Sequence, residues 1–266
     1  MRIIQFIAGV STGIAVLAVE QQALSQNNAA SSEQPAAADT PKLAPAALGM
    51  LEEMGAYIGS ADQFTFRADI IFDHVLPSGQ KLQFSAIENV ALKRPSGLYV
   101  EWSGDLGERQ FWYDGKSATL YDPDTPFYSA EAAPPEIDGM LEKLVTQLNF
   151  SPPLSDFLYG DPYKSVRGSI QYGFSGVTEI NGRSCRALAF VDKEVDWQIW
   201  IDTGPQRVPC KVVITYKNNP AQPQFRAVFT DWDFEPRIAS STFTPELPAG
   251  TQAVPFEKTT ATTNSN

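Results

Sequence analysis

Apolar and polar residues alternate through Phe64-Thr65-Phe66-Arg67-Ala68-Asp69-Ile70-Ile71-Phe72-Asp73, with the even positions apolar. Period two predicts a strand with one buried face. Pro77-Ser78-Gly79 predicts a turn, and the returning strand would bury Leu82, Phe84, Ala86 and Val90. Arg94-Pro95-Ser96-Gly97 turns again, before strands over 98–103 and 109–113. Asp114-Gly115 is a hairpin signal, followed by a strand over 118–121 that Pro123 ends. After an interruption, strands resume at about 165–178, 183–191, 196–202, 209–217 and 224–234, with Asn181-Gly182 as another tight turn.

Helical spacing occurs in few places. Ala47, Leu51, Met54 and Ile58 fall at i, i+4, i+7 and i+11 after Pro45, and Gly59 suits the helix end. Ile137, Met140, Leu141, Leu144, Val145 and Leu148 repeat the helical period after Pro134-Pro135. A second short helix is expected over 152–159. The pattern therefore predicts an α+β, mainly β protein. About five strands precede a helical insertion and about five follow it. An antiparallel sheet of that size must curl. The expected architecture is a strongly curved sheet, an incomplete β-barrel, with the helices covering its concave apolar face.

The ends differ from the middle. Residues 3–19 are nearly all apolar behind Arg2, and Ala23-Leu24-Ser25 places small side chains at −3 and −1 of a cut after Ser25. A cleaved signal peptide over 1–25 is the preferred reading, with no stable membrane span after cleavage. An inner-membrane anchor through 3–19 is the alternative. Residues 26–44 and 257–266 have little to bury and read as a disordered linker and tail. That leaves 45–256 as a single folded domain, exported to the periplasm.

Charge and residue counts narrow the chemistry. A formal net charge of −11 repels phosphate backbones, so nucleic-acid binding is not expected. One histidine, His74, excludes any site that needs two imidazoles. Gly115-Lys116-Ser117 resembles the end of a phosphate loop, but position 110 is Gln, not Gly. Gly173-Phe174-Ser175-Gly176 has Val177 where a nucleophile elbow needs Gly. No Cys or His spacing suits zinc, and Asp122, Asp124 and the 192–196 carboxylates read as solvated turns. No catalytic residue, metal or cofactor is assigned. Cys185 and Cys210 could pair after export. In a simple meander, however, they flank one intervening strand. Two strand spacings of about 9–10 Å exceed the limit of about 7 Å, so the disulfide is not favoured.

The aromatic set is the most informative feature. Phe64, Phe66, Phe72, Phe84, Phe190 and Trp200 lie on alternating strands. Most would be plain core; part of their surface would line a cavity under a lid carrying Met140, Leu144 and Leu148. A chain of about 15 methylenes would gain on the order of 12 kcal/mol gross from burial, before association costs.

Several segments together resemble a known group. They are Leu92-Lys93-Arg94-Pro95, Tyr113-Asp114-Gly115-Lys116, Leu120-Tyr121-Asp122-Pro123, Phe127-Tyr128, the 196–202 strand, Pro209-Cys210-Lys211 and 243–248. In order and spacing over about 50–255, they are similar to the LolA/LolB-like outer-membrane lipoprotein carrier superfamily. More narrowly, they resemble a family of predicted periplasmic proteins labelled domain of unknown function 2092. The resemblance implies a half-open barrel whose helices lid a hydrophobic cavity. It implies a non-enzymatic carrier for a lipid, an acylated protein or another hydrophobic ligand. In a second branch the same fold senses envelope stress through a partner protein, which leaves a sensor or interaction module as the alternative. A carboxylate-dependent hydrolase is the least supported reading.

Overall fold

The computed structural model describes residues 45–148, 150–163 and 172–256, and the side chains of these except 172–178. The expected signal peptide, linker and tail, and the first part of the strand expected from 165, lie outside the described residues.

Helix α1 (Pro45–Gly59) buries Ala47, Leu51, Met54 and Ile58, the stripe read from its spacing. The chain then enters β1 (Gln63–Val75) and winds antiparallel through β2 (Lys81–Lys93), β3 (Gly97–Gly104), β4 (Gly107–Tyr113), β5 (Ser117–Asp122) and β6 (Phe127–Ala132). β6 is a sixth strand where five were expected. Its sequence, Phe127-Tyr128-Ser129-Ala130-Glu131-Ala132, carries almost no alternation, so Pro123 reads as a stop. Helix α2 (Ile137–Gln147) buries Ile137, Met140, Leu141 and Leu144. In place of the expected second helix, only a single 3₁₀ turn forms at Ser155–Phe157. Leu154, directly before the turn, has a left-handed backbone (φ 54°), which a continuous right-handed helix over 152–159 does not allow.

The second meander runs through β7 (Tyr172–Ile180), β8 (Arg183–Val191), β9 (Val195–Asp202), β10 (Pro209–Tyr216) and β11 (Gln224–Asp233). Positive φ at both Asn181 and Gly182 gives the β7–β8 hairpin the mirror-image turn that the strand twist prefers. β11 then pairs antiparallel with β1, with Ala68 opposite Phe229 and Phe72 opposite Phe225. That pairing merges both meanders into one twelve-stranded sheet in the order β12-β6-β5-β4-β3-β2-β1-β11-β10-β9-β8-β7. α1, α2 and the 150–163 segment join one apolar core with the even-numbered residues of β1.

After β11 the chain crosses the opposite face. The side chain of Gln63 donates to the carbonyl of Pro236. Phe243 packs so closely on Gly97 that a Cβ there would stand 2.7 Å from its ring. β12 (Gln252–Ala253) then pairs parallel with β6, and Phe256 turns back into the inner core. The 243–248 motif thus belongs to a strap that covers one sheet edge.

The structure corrects the reading of the cysteines: Cys185 and Cys210 are disulfide-bonded, with Cα atoms 6.7 Å apart. The register of β10 on β9 slips between Pro209 and Lys211, which leaves Cys210 in a bulge. Cys185 faces Asp202, the last residue of β9. The two cysteines therefore meet around a strand end, where the full spacing of two strands no longer applies. Closing a loop of 25 residues stabilises by about 3 kcal/mol in the chain-entropy picture. The double replacement Cys185→Ser with Cys210→Ser is expected to lower unfolding free energy in urea by about that amount. The oxidised wild type should show no titratable thiol.

Candidate functional site

The 150–163 segment is the only part of the described cover that is not regular helix. One side chain ties it to the sheet. Arg94, in the β2–β3 turn, donates through Nη1 to the carbonyl of Leu158 (3.2 Å), through Nη2 to Tyr159 (3.1 Å) and through Nε to Ala61 (3.2 Å). Burial lowers the pKa of its guanidinium, and the Asp138 carboxylate opposes that shift. Asp138 also accepts the amide of Gly160 at 2.9 Å. Gly59 meets Gly160, where an added Cβ would lie 2.1 Å from the carbonyl oxygen. α1 and the segment are therefore in backbone contact, which only glycine allows.

Beneath this cover lies a partly open apolar cavity of about 40 Å³. Leu51 and Met54 of α1 line one side, and Leu154, Ser155, Asp156, Phe157 and Pro162 form the cover. Trp197 and Ile199 of β9 and Val212 and Ile214 of β10 form the floor. By the measure in which one water needs about 10–15 Å³, it holds a few water-sized groups. An extended acyl chain needs the cover to lift.

None of the nine aromatic and lid positions selected from sequence lines this cavity. Phe64, Phe66, Phe72, Phe190, Met140, Leu144 and Leu148 are buried in the core. Phe84 is half-buried against it and pairs across strands with Phe72, ring centroids 5.9 Å apart. Trp200 is a correction. It lies on the opposite face, with the Lys211 ammonium 4.6 Å from its ring centroid, while Val195, Trp197, Ile199 and Ile201 face inward. Two tryptophans three residues apart on a strand cannot share a face, and the inward one is Trp197.

One inward residue was missed altogether. Glu88 occupies the apolar face of β2 between Ala86 and Val90, opposite Ala68 and Trp102. It is 0% exposed, and neither carboxylate oxygen has a hydrogen-bond partner. Burial pushes its pKa well above the usual carboxylate range. Arg109 stands on the same row of the sheet, opposite Trp102 on β4, but spends its charge on Asp122 at 2.9 Å. The alternation of β2 carries the signal: in Leu82, Phe84, Ala86, Glu88, Val90, Leu92 a single acid interrupts an apolar series. Among the described residues no group of three or more Cys, His, Asp or Glu is placed to hold a metal ion.

The chain belongs to the family described as "Predicted periplasmic protein (DUF2092)", which matches residues 47–257. The protein is accordingly periplasmic, and its disulfide suits that oxidising compartment. Among the described residues no helix is long and apolar enough to cross a membrane. No curated protein matches the chain. Solved structures similar to it include the lipoprotein LppX of Mycobacterium tuberculosis, at 12% identity and TM-score 0.42, covering 72% of this chain and 97% of that one. LprF of Mycobacterium bovis gives 11% and 0.41, covering 80% and 100%. A LolA superfamily protein of Nitrosomonas europaea gives 10% and 0.40, covering 75% and 97%.

Two outcomes follow from the geometry. Arg94→Leu should speed amide exchange within 154–163 more than tenfold relative to β1 and β2, measured by mass spectrometry. Glu88 has a folded-state pKa above its unfolded value, so the unfolded chain loses its proton first as pH rises. Its contribution to stability therefore falls from about pH 4.5 upward until the folded-state pKa is passed. Glu88→Leu should be more stable than wild type at pH 8 by about 1–3 kcal/mol, with a smaller difference at pH 5, in urea titrations.

Proposed function

We propose that the protein is a non-enzymatic periplasmic binding or carrier protein. On this reading residues 45–256 act as one unit behind a cleaved leader. The sheet curls around a lipid, an acylated protein or another apolar ligand, under the cover of α1, α2 and 150–163. The observation that carries the reading is the apolar cavity between α1, the 154–162 cover and the β9–β10 floor. A fully settled core fills such space, because interiors pack at crystal-like density. The cover over it is a segment with one 3₁₀ turn, latched by hydrogen bonds to main-chain carbonyls rather than by a helical stripe. Lifting it exposes apolar wall without breaking a strand pairing.

A second reading rests on the sheet edges. β12 and the strap cover the β6 edge, whereas β7 ends the strand order at the other side among the described residues. An extended segment of an envelope protein could add to β7 by main-chain pairing, as edge strands allow. Pull-down from envelope extracts separates the two readings: a stoichiometric protein that survives cavity-filling mutations favours the second.

Solvent extraction of the natively purified protein, followed by mass spectrometry, should release an apolar molecule, and the emptied protein should bind Nile red. Val212→Phe fills the cavity floor and should weaken dye binding at least tenfold, with far-UV circular dichroism unchanged. No extractable molecule together with no dye binding would overturn the carrier reading.

A further inference from the structure

Among the described residues two buried side-chain donors end without an acceptor, one lining the cavity and the other beside its floor. Trp197 lines it and is 4% exposed, and its Nε1–H has no partner. Tyr216 is 9% exposed, and its hydroxyl likewise has no partner. It lies two residues beyond Ile214 on the same face of β10, and Ile214 also lines the cavity. The register sets Ile214 opposite Trp197 and Tyr216 opposite Val195, so the two donors are diagonal neighbours on the floor. Burial pushes the Tyr216 hydroxyl well above its ordinary pKa, and the Asp156 carboxylate adds to that shift. Asp156 lines the cavity from the cover, and Tyr216 lies beside the floor within reach of that charge.

The indole N–H can only donate. A buried donor left unpaired is destabilising, and most such groups in folded proteins are satisfied. One such donor in the wall of an apolar cavity, with a second diagonal to it, defines what is missing: an acceptor atom on a molecule whose remainder is apolar. A carboxylate would supply the atom, but its charge would be buried without a cation among the residues that line the cavity, and across from Asp156. An uncharged carbonyl meets both conditions.

We propose that the cavity receives the carbonyl of an acyl ester or amide, which accepts hydrogen bonds from Trp197 Nε1–H and Tyr216 O–H. The acyl chain then runs along Leu51, Met54, Ile199 and Val212 beneath the lifted cover. This rests on the carrier reading and narrows it: the ligand is an esterified or amide-linked acyl chain, not a free fatty acid.

Displacement of Nile red by three probes of matched length tests it: methyl decanoate, undecane and decanoate. Methyl decanoate is expected to displace the dye at a concentration at least tenfold below either of the others. Tyr216→Phe removes one unpaired oxygen, so the ligand-free protein should melt no lower than wild type. Its ester-to-alkane preference should fall about threefold or more, and Trp197→Phe should do the same. If Trp197→Phe fails to fold, because the ring also stacks on Phe190, Tyr216→Phe decides alone. Equal potency of ester and undecane in the wild type would overturn the inference while the carrier reading stands. So would decanoate outdoing the ester, or a preference unchanged in the folded variants. Failure of the dye to bind at all, with nothing extractable, overturns both.

Discussion

The inner face of the sheet presents apolar residues from β1–β5 and β8–β11, and the described chain supplies only two α-helices to cover it, of 15 and 11 residues. Leaving that face in water would forfeit about 25 cal/mol for each Å² of apolar surface. The pairing of β1 with β11 makes the problem acute, because it fuses two meanders into a single sheet whose middle no hairpin shields. The shortfall on the inner face is met by irregular chain over 150–163, while the strap after β11 lies on the outer face. Irregular chain has main-chain groups to satisfy, which explains why Arg94 is spent on three carbonyls and Asp138 on an amide.

The two halves of the cover are not equally finished. Tyr113 and Tyr216 both point inward, from β4 and β10. The Tyr113 hydroxyl donates to the carbonyl of Pro134 at 2.6 Å, beside the start of α2. Burial and the nearby Asp114 and Glu136 charges push its pKa up to about 12. The Tyr216 hydroxyl donates to nothing. Under α2, then, Met140, Leu141 and Leu144 close a satisfied core, whereas beside α1 the floor keeps two unpaired donors and an unfilled space. The asymmetry explains why the lid residues selected from sequence lie away from the cavity: a strongly periodic helix seals its face, and the weakly periodic segment next to it does not.

Much of this was legible in one dimension. The stripe of α1, the alternation of β1 and the Asp114-Gly115 and Asn181-Gly182 turns each follow from local chemistry, so the sequence carries them directly. β6 and β12 were not legible, since one has small mixed side chains and the other only two residues. The disulfide was not either. A bulge at Cys210 is a property of pairing, and the straight-ladder distance that argued against the bond assumes its absence. Trp197 was legible in principle, because Val195, Trp197, Ile199 and Ile201 form an uninterrupted alternation and Trp200 falls on the other phase. Glu88 was legible in the same way, as the acid in an apolar register.

Glu88 and the two cavity donors mark opposite ways of leaving a polar group unsatisfied. Glu88 sits in the row of Ala68 and Trp102, and a carboxyl there can shed its charge by keeping a proton. The indole of Trp197 and the hydroxyl of Tyr216 have no such escape, because neither becomes less polar by titrating near neutral pH. Their relief has to come from outside, as an acceptor atom delivered to the floor. The cavity beside them lies under a cover without helical periodicity, where such an atom can approach. On the carrier reading, the feature that weakens this half of the core, as a matter of folding, is the one that fits it for binding.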